Sequence, residues 1–181
     1  QGFQPEKLKT SESSKINLMA ELVSIENFCG TSNPAGVLTL EYIPTTWLND
    51  EVYEEIINSS YQLEDGVPLA TFDWLRLPII PAGDPWRETQ QRDKQGVSFR
   101  QRIQAVTPRL RHTVSGQFDA MAEYCFLVRL KDKQGQLWLI GTPESPLSFS
   151  CSGEVGAGQG GLNHYAIEFS GETAQRAYGL P

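Results

Sequence analysis

The C-terminal third of the chain alternates short apolar runs with turn residues, and this rhythm constrains the fold more than any other feature of the sequence. Tyr124–Leu130 is strongly apolar, Asp132–Gly135 has the composition of a tight turn, and Gln136–Ile140 is apolar again. Two such runs joined by a short glycine-containing turn predict a β-hairpin, with positive φ at Gly135.

Period-two alternation and β-branched or aromatic composition predict further strands in both halves of the chain. They are Met19–Asn27, Val37–Ile43, Leu69–Ile80, Phe99–Val106, the run of Leu147, Phe149 and Cys151, and the run of Tyr165, Ile167 and Phe169. Pro78 and Pro81 are expected to end the third of these strands, because proline cannot donate to a ladder. Residues 82–96 are then expected to form a polar loop, and the total is about seven strands.

Two segments have the apolar spacing of a helix. In the longer one, about residues 108–122, Thr107 is the expected N-cap and Pro108 the first helical residue. Its apolar stripe at three- and four-residue spacing consists of Leu110, Val114, Phe118 and Met121. The shorter one, about residues 49–57, begins after the capping residue Asn49.

Strands precede and follow the longer helix without a βαβ rhythm. The predicted fold is therefore mainly β, an antiparallel β-sandwich or β-barrel, with one packed α-helix (about 108–122) and a short helix (about 49–57). Residues 1–15 are polar and are expected to form a flexible N-terminal arm, and residues 16–181 a single β-rich domain.

The charge of the chain argues against a protein that grips nucleic acid. The formal net charge is −7, and such a surface should repel phosphates. Residues 16–75 contain ten acids and no Lys or Arg, whereas residues 76–112 contain eight bases against three acids, a sum of +5. The two blocks could neutralise each other within one subunit, or they could meet between subunits in a head-to-tail assembly. No apolar run is long enough to cross a bilayer, so no membrane partner is predicted.

The chain has three cysteines, Cys29, Cys125 and Cys151. Such a small and odd number does not indicate a disulfide framework. Cys125 and Cys151 lie in apolar, strand-like runs and are expected to be buried thiols. No paired spacing such as C-x2-C is present, so no metal site is predicted.

The glycine-rich stretch Gly156–Gly161 matches the residue pattern G-x-G-x-x-G, but its predicted structural context is not that of a dinucleotide-binding motif. Dinucleotide binding requires a strand before this motif and a helix after it. Here a strand is expected to follow, beginning near Asn163, so a flexible loop between strands is the better interpretation. No cofactor-binding residue is therefore predicted.

Candidate catalytic residues are equally sparse. His112 is expected on the longer helix and His164 at the start of a strand, and no G-x-S-x-G is present to supply a nucleophile. The acidic pairs Glu54–Glu55 and Glu64–Asp65 are adjacent residues, whereas glycosidase carboxylates must face each other across several Å. The sequence thus predicts that the chain is not an enzyme and has no catalytic, cofactor-binding or metal-binding residues.

A series of short features in fixed order links the chain to a known family. They are Pro108–Ala122, Tyr124–Leu130, Lys133-Gln134-Gly135, Leu137–Gly141, Ile140–Leu147 and Asn163–Glu172, preceded by Cys29-Gly30 and Ala35-Gly36-Val37. In this order the chain resembles the tail-tube-type proteins of tailed phages and prophages of Bacteroides-like bacteria. The resemblance covers most of the chain and is strongest at its C-terminus.

The resemblance implies a structural subunit of the virion tail, assembled in the bacterial cytoplasm. It implies a β-sandwich or barrel with a helix on its outside, forming homo-oligomeric rings, as hexamers, that stack into a tube. Its partners would be other copies of itself and other tail proteins, with DNA only as passing cargo. A different hypothesis is a secreted or surface β-sandwich that binds carbohydrate or protein, with tryptophans as a stacking platform: Trp47, Trp74, Trp86 and Trp138.

Overall fold

The computed structural model of the chain describes residues 36–48, 73–94, 96–156 and 163–180, with the side chains of residues 81–84 left out. All of these residues belong to one unit, Asn33–Pro181, and a second unit comprises Gln1–Ser32. The predicted N-terminal arm (1–15), the strand Met19–Asn27 and the short helix (about 49–57) lie outside the described residues.

The described part of the chain contains nine strands, one α-helix and one 3-10 turn. In chain order these are β1 (Val37–Pro44), the 3-10 turn (Thr45–Trp47), β2 (Leu75–Leu77), β3 (Ile80–Arg92), β4 (Val97–Pro108), α1 (His112–Met121), β5 (Cys125–Asp132), β6 (Leu137–Ile140), β7 (Leu147–Glu154), β8 (His164–Thr173) and β9 (Tyr178–Leu180). The prediction of a mainly antiparallel β fold with one packed helix is confirmed.

The strands form a single sheet in the order β2-β1-β5-β7-β8-β4-β3, with β6 and β9 branching from β5. The branch arises because β5 divides one of its edges between two partners. Val128–Lys131 pair with β6, whereas Cys125 and Phe126 pair with β7. The short β5–β7 pairing joins two layers, β2-β1-β5-β6-β9 and β7-β8-β4-β3. Among the described strands the sheet does not close, so of the two predicted architectures it is sandwich-like and not a barrel.

Aromatic side chains from both layers meet in the main core. Phe126 of β5 contacts Phe169 of β8 edge-on, with ring centroids 5.7 Å apart, and Phe149 of β7 at 6.3 Å. Tyr42 of β1 packs on Phe126 at 5.4 Å. Such pairs contribute about 0.5–1.5 kcal/mol each beyond the area that they bury. This cluster therefore fixes how the two layers face each other.

A smaller core lies on the opposite face of β1 and β5. It is built from Ile43, Leu127, Leu139, Tyr178 and Leu180. Both faces of β1 and β5 therefore contain buried residues.

The helix begins later than predicted. Thr107 and Pro108, the expected N-cap and first helical residue, are the last residues of β4, where they pair with Tyr165 and His164 of β8. Ten paired positions with β8 outweigh a local capping preference. The chain then turns at Arg109, whose φ of 67° is positive, and α1 starts at His112.

The predicted polar loop at residues 82–96 is wrong. Residues 80–92 form β3, the longest of the described strands, which pairs with β4 from Ile80–Val106 to Arg92–Val97. Pro78 does separate β2 from β3, but Pro81 does not end a strand. Proline is tolerated there because β3 is an edge strand, where only one side of the backbone is paired.

Candidate functional site

The long edge strand β3 is the most distinctive surface of the sheet. It has 13 residues and lies at one end of the strand order, opposite the three-residue β2. Within the described residues it pairs with β4 alone. Ile80, Thr89 and Arg92 are exposed along it. An edge of this length is a template on which another strand can pair.

The inner side of β3 is held rigidly by the C-terminal segment. Both oxygens of the Glu88 carboxylate are engaged: Oε2 accepts a hydrogen bond from the Ala177 N–H at 2.8 Å, and Oε1 lies 3.2 Å from Arg176 Nη1. Arg176 also donates to the Gln90 side chain at 3.0 Å. Hydrogen bonds to a charged group are stronger than neutral ones, so the edge strand is fixed in place.

The outer face of β4 and β8 is polar and carries both signs of charge. Arg102 donates to Glu168 at 2.9 Å, and Ser98 donates to Glu172. The groove that Arg100, Arg102, Glu168 and Glu172 border is shallow and has a volume of about 420 Å³. Alternating charges over an exposed face are typical of a solvated sheet surface.

Two ion pairs between described residues link the charge blocks to other parts of the chain. Glu41 of the acidic block pairs with Arg129 at 2.6 Å, and Arg102 of the basic block pairs with Glu168 at 2.9 Å. Each thus finds its partner outside both blocks. Most of the acidic block lies in residues 49–72, outside the described part of the chain, so the head-to-tail hypothesis stays a prediction.

The strand after the glycine-rich stretch and the positions of both histidines agree with the sequence predictions. The strand β8 follows the glycine-rich stretch, and the Gly156 N–H donates to Asn163 Oδ1 at 3.2 Å across its base. His112 is the first residue of α1, and His164 the first of β8, with its Nε2 3.3 Å from Glu154 Oε2. Glu54–Glu55 and Glu64–Asp65 lie outside the described residues.

Two features are absent from the described residues. No group of three or more His, Cys, Asp or Glu side chains there could hold a metal ion. No helix in that part of the chain has the length and apolarity needed to span a membrane.

The prediction of buried thiols is wrong for both cysteines that the structure describes. Cys125 and Cys151 are exposed. Cys151 shares a face of β7 with the buried Leu147 and Phe149, but the core ends at Phe149 and leaves the next inward position uncovered. Partial burial, and the neighbouring Asp119 carboxylate, still raise the pKa of the Cys151 thiol.

The four tryptophans are distributed between core and surface. Trp86 and Trp138 are brought together, with ring centroids 5.3 Å apart, and both pack against the main core. Trp74 packs against the smaller core and lies under the Arg129 guanidinium, 4.6 Å from its ring centroid. Trp47 is 53% exposed. Three of the four thus contribute to packing rather than to a free stacking platform.

A cavity of about 470 Å³ beside α1 was not foreseen from the sequence. Thr107, which is 1% exposed, is part of its lining, and among the described residues Thr107 Oγ1 has no hydrogen-bond partner. A buried hydroxyl without a partner costs about 1–3 kcal/mol. Sequence patterns could not signal this site, because Thr107 followed by Pro108 looks like the start of a helix.

Comparison with known proteins places the chain in no family. No protein-family model, no curated protein and no solved structure is similar enough to this chain to count as a match.

Proposed function

We propose that this chain is a self-assembling structural subunit of a phage or prophage tail, of the tail-tube type. In this proposal neighbouring copies join through their sheet edges into rings, and the rings stack into a tube for DNA passage. The observation that carries it is the 13-residue edge strand β3, which pairs on one side only within the described residues.

An exposed edge of this length is a liability for a protein that works alone. Monomeric proteins shorten such edges, cover them or interrupt them with inward-pointing charges. β3 carries Pro81 and a register irregularity between Pro81 and Trp86, but it is regular from Trp86 to Arg92, where the inward Glu88 is paired with Arg176. Repeated heterologous contacts between identical subunits close into rings or grow into filaments, which suits a tube.

The identification of the assembly as a phage tail rests on the family resemblance of the C-terminal segment. The resemblance also supplies the hexameric ring, the other tail proteins as partners and the location in the virion tail. The proposal includes no catalytic role and no cofactor.

Assembly is tested by negative-stain electron microscopy of the concentrated protein and by light scattering on dilution. We expect rings or tubes, and hexamers at high concentration. The double variant Ile80→Lys/Thr89→Lys places two charges on exposed positions of the β3 edge and should leave monomers. The matched control, Ala120→Lys/Ala122→Lys, adds the same charge at exposed positions at the end of α1 and should assemble normally.

Two outcomes would count against the proposal. A wild-type chain that stays monomeric at every concentration and salt would exclude assembly. Assembly in which both double variants behave alike would show that β3 is not the contact. The tail assignment itself is tested by the neighbouring genes, which should encode portal, tape-measure or baseplate proteins.

A further inference from the structure

We draw no further inference here: the strongest candidate, the three exposed arginines Arg87, Arg100 and Arg102 on the outer face of β3 and β4, shares that face with the carboxylates of Glu168 and Glu172, and nothing in the structure shows what covers it.

Discussion

Gln101 Nε2 donates a hydrogen bond of 2.8 Å to Glu88 Oε2 across the β3–β4 hairpin, from a side chain with no exposed surface. The same amide accepts a hydrogen bond from Trp86 Nε1 at 3.2 Å through its Oε1. The buried Gln101 side chain thus forms hydrogen bonds with both the Trp86 indole and the Glu88 carboxylate of the edge strand. The network connects the edge strand to the main core, where Trp86 packs against Trp138 with its ring tilted by 47°.

Replacing Gln101 by Met should therefore destabilise the fold. The substitution keeps the approximate volume but leaves the Trp86 N–H without its acceptor and the Glu88 carboxylate without one of its donors. We expect a loss of about 2–3 kcal/mol in the free energy of unfolding, measured by urea denaturation. The control is Gln104→Met on the same strand, which removes one partly exposed bond to Glu168 and should cost about 1 kcal/mol or less. Equal effects at the two positions would contradict the network.

The start of α1 depends on a tyrosine from another strand. Arg111, the N-cap residue, makes no side-chain capping bond. Instead the Tyr165 hydroxyl donates to the Arg111 carbonyl at 3.0 Å, accepts from its N–H at 3.2 Å, and lies 2.7 Å from Ser115 Oγ. Tyr165→Phe should lower the free energy of unfolding by about 1–3 kcal/mol.

Hydrogen exchange in α1 should reveal the loss of these hydrogen bonds. We expect the amides of α1 to exchange with deuterium faster in Tyr165→Phe, while those of β8 keep their protection. The comparison variant is Tyr124→Phe, at a tyrosine that is 46% exposed, and it should alter neither quantity. Uniformly faster exchange over the whole sheet would show that Tyr165 supports the core in general and not the helix start.

The parts of the fold that the sequence predicts are those where local signals and tertiary pairing agree. The hairpin of β5 and β6 has apolar runs on both sides of a glycine turn, and Gly135 has the expected positive φ of 92°. On β8, alternation predicts the inward face correctly, with Tyr165, Ile167 and Phe169 buried.

The errors occur where tertiary pairing overrides the local signal. The polar, proline-containing segment of β3 resembles a loop, yet β4 offers it a complete ladder partner. The three residues of β9 are too few to show a period, and only their pairing with β6 makes them a strand. The cavity wall at Thr107 was hidden for the same reason, since β8 extends β4 through a position that local rules assign to a helix cap.

Two glycines should respond in opposite directions to alanine. A Cβ at Gly171 of β8 would lie 2.9 Å from both Leu147 Cδ2 and the Pro146 carbonyl oxygen. The contact with the carbonyl oxygen could be relieved only by moving the backbone at Pro146. Gly171→Ala should therefore lower the free energy of unfolding by about 1–3 kcal/mol. A Cβ at Gly116 of α1 would meet nothing within 4 Å, so Gly116→Ala should raise it by about 0.5–1 kcal/mol.

Thermal denaturation of the two glycine variants beside the wild type is sufficient for this test. The melting temperature should fall for Gly171→Ala and rise for Gly116→Ala. A neutral Gly171→Ala would mean that β7 and β8 can move apart at Pro146, and the close packing of these strands would then not be needed for stability.

Tyr42 should make the stability of the fold depend on alkaline pH. Burial raises the pKa of its phenol above the ordinary value of 10.0, so the folded state holds this proton more tightly than the unfolded state does. The stability that results is complete below about pH 10 and is lost as the pH rises through the folded pKa. In Tyr42→Phe the group cannot ionise. The free energy of unfolding from urea denaturation should then decline less steeply between about pH 10 and 12 in the variant than in the wild type. Parallel declines in the two proteins would mean that the Tyr42 hydroxyl is already as well hydrated in the folded chain as in the unfolded chain.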